Sequence, residues 1–482
     1  MRTLVLTLSL ALAAAVHADN WPGFRGPNGS AVSDEPSLPS EWSKDKNVAW
    51  KIAIPGYGWS CPVVWGDKVF VTTAVSDKQK KPSGGFGPPG GGFGPPGGGG
   101  FGPNGGFGRQ VPPDDVYKFQ VLCLNAADGK ILWRETARES KPTIPTQASN
   151  TYATETPVTD GERVYSYFGM HGLYAYDFGG KQVWKLDLGS YPTAMGNGTG
   201  SSPALADGKV IVQCDNEKDS FLVGVDAKTG KELWRTKRTE RTGYSTPLVW
   251  KHKDRTEVIC LGGQKVRSYD PATGKQLWEL GGLNGQVKAS PAATEDLLFV
   301  GTGGGFGGMM GGGFGPPGGP KGGPGGGPKG GFGMGGGSRP LFAVKPGAGG
   351  DITLKDGAKS SDVVAWKDEK AGPQTPSPLA YQGYLYILDE RGGSLTCYDA
   401  KSGKQQYKER LGGRGFTASP WAYDGKVFCL DDSGTTYVVQ AGPTFKELGR
   451  NVLSGMSWST PAVGGRSVFV RTVDTLYCLR AK

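Results

Sequence analysis

The chain has 482 residues, 83 of them glycine, and a formal net charge of +10 at pH 7. The length allows two or three domains, and three histidines nearly exclude a histidine-based metal site. The seven cysteines stand singly, without an adjacent pair or a haem-attachment motif, so they predict small buried side chains rather than a disulfide framework. The basic charge is spread along the chain without a nucleic-acid-binding motif, so no nucleic-acid partner is expected.

Residues 1–18 have the pattern of a cleaved signal peptide. Arg2 gives the positive charge, residues 4–16 are a short apolar stretch, and Val-His-Ala supplies the small residues of a cleavage site. The stretch is shorter than the roughly 20 residues that cross a bilayer. A buried N-terminal helix is the alternative, but no amphipathic pattern follows. We expect a periplasmic or secreted protein without a lipid-attachment cysteine or transmembrane segment, and an extended N-terminal segment over residues 19–46.

An internal repeat dominates the rest of the chain. At eight places a Ser or Thr, once a Cys, precedes a proline and an apolar stretch, and successive prolines are 95, 46, 44, 44, 87, 42 and 41 residues apart. The two long intervals contain glycine-rich tracts. A period of about 40–45 residues is typical of propeller blades. The eight starts are Cys61-Pro62, Thr156-Pro157, Ser202-Pro203, Thr246-Pro247, Ser290-Pro291, Ser377-Pro378, Ser419-Pro420 and Thr460-Pro461.

Each unit can be divided into four short strands. Between Ser202 and Trp234 the strands are SPALA, KVIVQC, FLVGVD and ELWRT, separated by tight turns. A turn followed by an aromatic residue recurs at the last strand. We therefore predict that one large aromatic per outer strand packs between adjacent blades as core, not against a cofactor. These structural residues are Trp50, Trp133, Trp184, Trp234, Trp278 and Trp366.

The last unit contains only three strands after Pro461, and residues 47–52, with Trp50 in the aromatic position, can supply the fourth. The sequence thus predicts an all-β, eight-bladed propeller of four-stranded antiparallel blades over residues 47–482. An N-terminal strand paired with residues 475–479 would close the ring and remove an exposed edge.

Two inserts, at about 78–113 and 303–339, consist almost entirely of Gly, Pro and Phe. Such segments cannot bury a core, so we expect both to be disordered. Each falls between the second and third strands of its unit, which predicts that they leave one face of the ring on opposite sides. They could be flexible tethers, or their phenylalanines could act as weak multivalent contacts.

The repeats and several longer stretches resemble the bacterial PQQ-like β-propeller repeat proteins that are abundant in Planctomycetes. The resemblance is carried by WPGFRGPNGSAVS (21–33), LPSEWS (38–43), NVAWKIAIPG (47–56), LFAVKPGAGGDITLKDG (341–357) and residues 375–413. It implies the fold but no single function. Among better-known relatives, the BamB type implies a non-catalytic propeller of outer-membrane protein assembly. The PQQ-dependent alcohol dehydrogenases imply quinone and Ca²⁺ in the funnel, but their adjacent cysteine pair is absent from this sequence.

Connections between an outer strand and the next blade should surround the funnel mouth. Glu155 and Asn197 lie on successive blades, but no carboxylate takes the matching place in the next blade, and Ca²⁺ needs more oxygen ligands. We therefore expect Glu155 to pair with Arg241 or Arg414 and no metal to bind. The aromatic residues either plug the channel or form a binding surface with the arginines. The predicted funnel residues are Tyr57, Trp59, Tyr152, Glu155, Met195, Asn197, Arg241, Tyr244, Lys288, Arg414, Phe416, Met456 and Trp458.

Three functions follow as hypotheses. The first is an exported, non-catalytic scaffold that engages an envelope protein or an anionic ligand through the funnel face, as a monomer or in an envelope complex, without a cofactor. The second is a PQQ-dependent oxidoreductase with PQQ and Ca²⁺, although His171 and His252 lie away from the funnel and no base is evident. The third is a polysaccharide-binding module that uses the aromatic rim.

Overall fold

Eight antiparallel sheets form the eight blades of a β-propeller, which confirms the predicted fold. The structure is a computed structural model, and it describes residues 20–83, 110–303 and 338–481. Within these ranges the only helical elements are three short 3-10 turns, Pro27–Gly29, Gly169–His171 and Ala194–Gly196. None of the helices in the described ranges is long and apolar enough to cross a membrane. The predicted signal peptide lies outside the described residues.

The strands are numbered along the chain, and each blade runs from its first strand at the channel to its outer strand. Blade 1 consists of β2 (Val63–Trp65), β3 (Lys68–Val75), β4 (Tyr117–Asn125) and β5 (Ile131–Ser140), and blade 2 of β6 (Val158–Thr159), β7 (Arg163–Tyr167), β8 (Leu173–Asp177) and β9 (Gln182–Leu186). Blade 3 consists of β10 (Ala204–Ala206), β11 (Lys209–Cys214), β12 (Phe221–Asp226) and β13 (Glu232–Lys237), and blade 4 of β14 (Leu248–Lys251), β15 (Thr256–Leu261), β16 (Lys265–Tyr269) and β17 (Gln276–Gly281).

The remaining strands complete the ring and include its closing strand. Blade 5 consists of β18 (Ala292–Ala293), β19 (Leu298–Gly301), β20 (Leu341–Val344) and β22 (Val364–Asp368), and blade 6 of β23 (Leu379–Tyr381), β24 (Tyr384–Leu388), β25 (Ser394–Asp399) and β26 (Gln405–Arg410). Blade 7 consists of β27 (Trp421–Tyr423), β28 (Lys426–Leu430), β29 (Thr435–Gln440) and β30 (Glu447–Val452), and blade 8 of β31 (Ala462–Gly464), β32 (Ser467–Arg471), β33 (Thr475–Leu479) and β1 (Val48–Ala53).

The N-terminal strand closes the ring as predicted. β1 pairs antiparallel with β33, and Trp50 lies opposite Cys478. One feature of the sheets was not predicted: a short strand, β21 (Gly350–Asp351), pairs in parallel with β17 and makes blade 4 five-stranded. It covers the outer edge of blade 4, and among the described residues no other blade has a fifth strand.

Hydrogen bonds between the residues before the blade prolines link neighbouring blades around the channel. In each pair the backbone N–H of one such residue donates to the side-chain oxygen of its counterpart in the next blade. The donor–acceptor pairs are Cys61–Thr156 (2.9 Å), Thr156–Ser202 (2.9 Å), Ser202–Thr246 (3.0 Å), Thr246–Ser290 (2.9 Å), Ser290–Ser377 (3.0 Å), Ser377–Ser419 (3.0 Å) and Ser419–Thr460 (3.0 Å). The Thr460 N–H faces the Cys61 thiol and completes the circle. We call this the inner ring; it explains why a small side chain with an acceptor precedes each proline.

The predicted outer tryptophans dock on the next blade at five interfaces. Each indole N–H donates to a carbonyl in the turn that joins the third and outer strands of that blade. The pairs are Trp50–Ala126 (3.0 Å), Trp133–Phe178 (2.9 Å), Trp184–Ala227 (3.0 Å), Trp234–Pro271 (3.2 Å) and Trp366–Ala400 (3.0 Å). The turns need glycine at this contact: a Cβ on Gly230, whose φ is +73°, would lie 2.6 Å from the Trp184 ring.

Trp278 is the exception among the six. Its indole N–H donates to Glu257 Oε2 of its own blade at 2.6 Å. Glu257 is fully buried and also accepts from Arg255 Nε at 2.8 Å and from the Ser268 hydroxyl, and it lies 3.0 Å from His252 Nε2. Blade 4 therefore anchors its tryptophan internally, where the other tryptophans bridge blades.

All seven cysteines are free. Three of them, Cys123, Cys397 and Cys478, lie directly opposite the outer aromatic of their blade in the strand register. The corresponding residues of blades 2 and 3 are Ala175 and Gly224. A small residue is required there because a Cβ on Gly224 would come within 2.3 Å of the Trp234 ring.

The connections from an outer strand to the next blade define what we call the front face of the ring. They comprise residues 54–62, 141–157, 187–203, 238–247, 282–291, 369–378, 411–420 and 453–461. Because strands alternate in direction, connections between second and third strands share this face. Residues 84–109, between β3 and β4, and 304–337, between β19 and β20, fall in such connections of blades 1 and 5. The glycine-rich tracts and their predicted disorder lie outside the described residues.

The segment 20–33 lies inside the channel. Trp21 exchanges backbone hydrogen bonds with Val64 of blade 1 at 2.8 and 2.9 Å, and Ser33 N–H donates to Ala422 O of blade 7 at 3.0 Å. Between these contacts, buried Arg25 donates to the carbonyl of Pro291 at 2.9 Å and to that of Pro378. Burial lowers the pKa of Arg25 to about 9. The segment thus ties first strands across the ring and fills part of the channel.

Candidate functional site

The ten residues predicted with a binding role all lie on front-face connections. Three of the aromatic ones are buried. Trp59 stacks on Trp458 with ring centroids 5.2 Å apart and donates to Ser149 O at 2.9 Å. The Tyr152 hydroxyl donates to Ile144 O at 3.1 Å. Phe416 has no exposed surface. Trp59, Tyr152 and Phe416 are therefore core residues of this face, whereas Trp458 and Tyr244 are half-buried.

Glu155 does not form the predicted ion pair. Its side chain is buried and Oε1 has no hydrogen-bond partner among the described residues. Burial raises the pKa of this carboxyl to about 7, and a hydrogen bond with the Thr199 side chain opposes the shift only in part. Arg241 lies in solvent and pairs with Glu217, so the expectation of a partner for Glu155 in Arg241 or Arg414 is wrong. The sequence could not reveal this, because Thr199 comes from the following connection.

Asn197 ends the turn Ala194–Gly196 and is half-buried. Its carbonyl accepts from Asn150 Nδ2 at 3.0 Å and from Thr146 Oγ1 at 3.3 Å. These bonds hold the connection after blade 2 against the connection before it. Both bonds use the backbone of Asn197, and its side chain faces the Tyr244 hydroxyl.

Exposed charge on the front face is mixed, because exposed acidic residues such as Asp187 and Glu369 stand on the same connections as exposed cations. Arg241, Lys288 and Arg414 are all exposed, and Arg241 reaches Glu217 with Nε at 2.8 Å. Exposed apolar side chains share this face: Met195 is 72% exposed, Val111 77% and Val116 48%. Exposed apolar groups beside charged ones are typical of protein-binding surfaces.

A small cavity opens on the front face between blades 2 and 3. It leaves about 30 Å³ for the centre of a water-sized group. Its walls include residues 198–201 of one connection, residues 213–216 of blade 3, and the side chains of Tyr167, Met170 and Tyr191. Neither the repeats nor the spacing of the motifs indicated this cavity, because it forms between loops of unequal length.

Comparison with known proteins gives the family. The sequence model described as outer membrane protein assembly factor BamB matches residues 117–280 and 350–443, more than half of the chain. The chain belongs to this family. BamB from Moraxella catarrhalis superposes with a TM-score of 0.50 at 13% identity, over 77% of this chain and 94% of that one. This likeness shows the fold that the BamB family shares.

Quinoproteins are also similar to this BamB-family chain. A quinohemoprotein alcohol dehydrogenase from Pseudomonas putida superposes with a TM-score of 0.51 at 10% identity, over 96% of this chain and 81% of that one. A lanthanide-dependent methanol dehydrogenase from Methylorubrum extorquens is 31% identical over 119 residues, 22% of this chain and 19% of that enzyme. The chain therefore matches only about a fifth of the length of this curated relative.

The funnel residues do not fit a quinone and its metal. Trp59 and Trp458 are stacked on each other, and Arg25 lies in the channel interior. Within residues 20–83, 110–303 and 338–481, no three Asp, Glu, His or Cys side chains gather as a metal-binding group. Ca²⁺ takes six to eight oxygen ligands. Glu155 stands two residues before its blade proline, and no carboxylate takes the corresponding position in the other seven blades. The residues there are Ser60, Ser201, Ser245, Ala289, Pro376, Ala418 and Ser459.

Proposed function

We propose that the protein is an exported, non-catalytic scaffold of the cell envelope that binds an acidic protein surface through its front face. Membership of the BamB family supports a role in an envelope complex. The observation that carries the proposal is the combination of exposed Arg241, Lys288 and Arg414 with exposed Met195 and Val111 on one face. Basic and apolar groups together provide steering and contact area for a protein partner.

The buried aromatic residues favour a protein partner over a polysaccharide. A sugar-binding platform presents exposed aromatic faces, but Trp59, Tyr152 and Phe416 are each at most 8% exposed. Phe416 packs beneath the connection that carries Arg414.

Capture from the native envelope tests the proposal. The wild type is compared with a front-face variant, Met195→Asp with Lys288→Glu and Arg414→Glu, and with a back-face control, Lys228→Glu with Lys401→Glu. Lys228 and Lys401 are exposed in turns between third and outer strands, on the opposite face. We expect the wild type and the control each to capture one envelope protein in stoichiometric amount. Salt should release this protein, and the front-face variant should fail to capture it. Equal capture by all three proteins would refute the front-face assignment.

A second candidate function is quinone-dependent alcohol oxidation, because the 119-residue match to a methanol dehydrogenase is 31% identical. The poor fit of the funnel to quinone and metal argues against it. Incubation with PQQ and either Ca²⁺ or La³⁺, followed by calorimetry and a dye-linked alcohol assay, decides between the two. Micromolar quinone binding with turnover that Glu155→Gln abolishes would establish the dehydrogenase and displace the scaffold.

A further inference from the structure

The cavity between blades 2 and 3 contains an acceptor that the protein leaves unused. Gln213 is 2% exposed and lines the cavity. Its Nε2 donates to Asp215 Oδ2 at 2.7 Å and to Leu261 O at 2.8 Å. Both partners are acceptors, so the orientation of the amide is fixed. Gln213 Oε1 is then an acceptor, and no donor reaches it from the described residues. Leaving such a buried group unsatisfied costs about 1–3 kcal/mol.

A second unused acceptor lies directly behind the cavity wall. Thr199 lines the cavity and hydrogen-bonds the carboxyl of Glu155, whose Oε1 has no partner. The cation on this side of the ring, Arg238, is engaged by Asp215 at 2.7 and 2.9 Å and by the Tyr269 hydroxyl at 2.8 Å. In the described part of the chain, no cation is among the groups that influence the pKa of Glu155, and none lines the cavity.

The other walls suit a short alkyl stem. Met170 and Ile144 are apolar, and the half-buried Tyr191 also lines the cavity. An aromatic ring and a thioether next to a carboxylate are groups that attract an ammonium ion with its carbon chain. The space is sufficient for one ammonium-sized group and too small for a sugar ring or a quinone.

We propose that this cavity binds a primary ammonium group, which donates to Gln213 Oε1 and is balanced by the carboxylate of Glu155 behind Thr199. The site extends beyond the proposed function: it lies in the wall between two blades, and its test requires no envelope partner. The ammonium could belong to a small amine or to a lysine side chain, and the two sources are separated by experiment.

Binding to the full chain is measured by calorimetry and ligand-observed NMR at pH 8. The probes are methylammonium, the tripeptide Gly-Lys-Gly with its N-terminus acetylated and its C-terminus amidated so that lysine supplies its one ammonium, and tetramethylammonium, which carries the charge without N–H groups. We expect saturable binding of methylammonium or of the peptide, and at least tenfold weaker binding of tetramethylammonium. A peptide that binds tenfold more tightly than methylammonium assigns the site to a lysine, and equal affinities assign it to a small amine.

Variants identify the groups that carry the binding. Glu155→Gln and Thr199→Val should each weaken methylammonium binding about tenfold. Asp432→Asn is the matched control, because Asp432 is another carboxyl whose pKa is raised by burial, to about 6, but it lies in blade 7. It should leave the affinity unchanged. Melting temperatures of the variants confirm that they are folded.

The pH profile provides a second readout. The ammonium binds the ionised Glu155, so the affinity should rise up to tenfold per pH unit as pH increases toward about 7, and level off above it. Nearby Tyr167 and Cys214 do not interfere, because burial raises the pKa of Tyr167 well above 10 and that of Cys214 to about 11. Asp215 is paired with Arg238. Glu155→Gln should flatten the profile.

Three results would overturn the proposal. These are the absence of saturable binding of methylammonium and of the peptide at pH 8, equal affinity for tetramethylammonium, and full affinity in a folded Glu155→Gln protein. None of them bears on the capture experiment, so the ammonium site and the scaffold function can fail separately.

Discussion

The inner ring and the outer tryptophans join the same neighbouring blades in different ways. Around the channel one hydrogen bond recurs with little change in length, and Cys61 is the only one of its eight residues without a hydroxyl. At the outside, a tryptophan docks on the next blade at five interfaces, and the other three blades differ. In blade 4 Trp278 hydrogen-bonds Glu257, in blade 6 Tyr407 packs on Phe445, and in blade 7 Gly449 takes the place of an aromatic residue.

Distance from the axis explains the difference. First strands converge at the channel, so a hydroxyl is long enough to reach the next backbone N–H in every blade. Outer strands diverge, so contact requires a large ring and a turn of fixed shape in the next blade. Blade 8 has no such turn, because its outer strand β1 comes from the other end of the chain. Gly449 in blade 7 stands where an aromatic would have no turn to receive it.

Removal of the closing strand should have the largest effect. Deletion of residues 20–53 takes away β1, the Trp50 contact and the segment that crosses the channel, and exposes the edge of β33. We expect the loss of cooperative unfolding, or a fall in Tm on the order of 10 °C or more. A chain that begins at residue 20 is the control. An unchanged Tm after the deletion would show that the ring does not depend on this closure.

Loss of one outer tryptophan should have the next largest effect. Trp184 is 8% exposed and bridges blades 2 and 3, so Trp184→Ala should reduce the free energy of unfolding by about 3–5 kcal/mol. Val183→Ala is the control, because Val183 is adjacent and 42% exposed. Urea unfolding of both variants measures the difference. Similar losses would mean that the outer contact stabilises the ring no more than surface packing does.

The inner ring and the outer tryptophans also show how much of the fold could be predicted from the sequence. The eight blade starts, the outer aromatics and the closing strand could be predicted because each unit repeats the same pattern. The role of the residue before each proline could not be predicted from the sequence, since its hydrogen-bond partner lies in the next blade. The same holds for Glu155, whose environment depends on Thr199, and for Arg25, whose two acceptors are backbone carbonyls of blades 5 and 6. Such contacts leave no periodic signal in the chain.

A single break in the inner ring should cost less than a tryptophan. Thr246→Val keeps the shape of the side chain but removes the acceptor of the Ser202 N–H, which is buried. We expect a loss of about 1–3 kcal/mol in the free energy of unfolding, the cost of an unsatisfied buried donor. Thr444→Val, at an exposed threonine, should change the free energy by less than about 0.5 kcal/mol. If the two variants unfold at the same urea concentration, the ring hydroxyls do not stabilise the blade contacts.

The smallest effect should come from making the inner ring uniform. Cys61 holds the place of a hydroxyl, and the Thr460 N–H already points at its sulfur. In Cys61→Ser the new oxygen is a better acceptor for that N–H, which offsets the loss of the larger buried sulfur, so we expect a change within about 1 kcal/mol.

Cys429→Ser is the matched control. Cys429 is fully buried, and burial alone raises its pKa, with no hydrogen-bonding group opposing the shift. A serine there would bury a hydroxyl without a partner and should cost about 1–3 kcal/mol. Chemical unfolding of both variants under reducing conditions gives the comparison. A larger loss at Cys61 than at Cys429 would mean that the thiol is held by packing, and that the inner ring is open between blades 8 and 1.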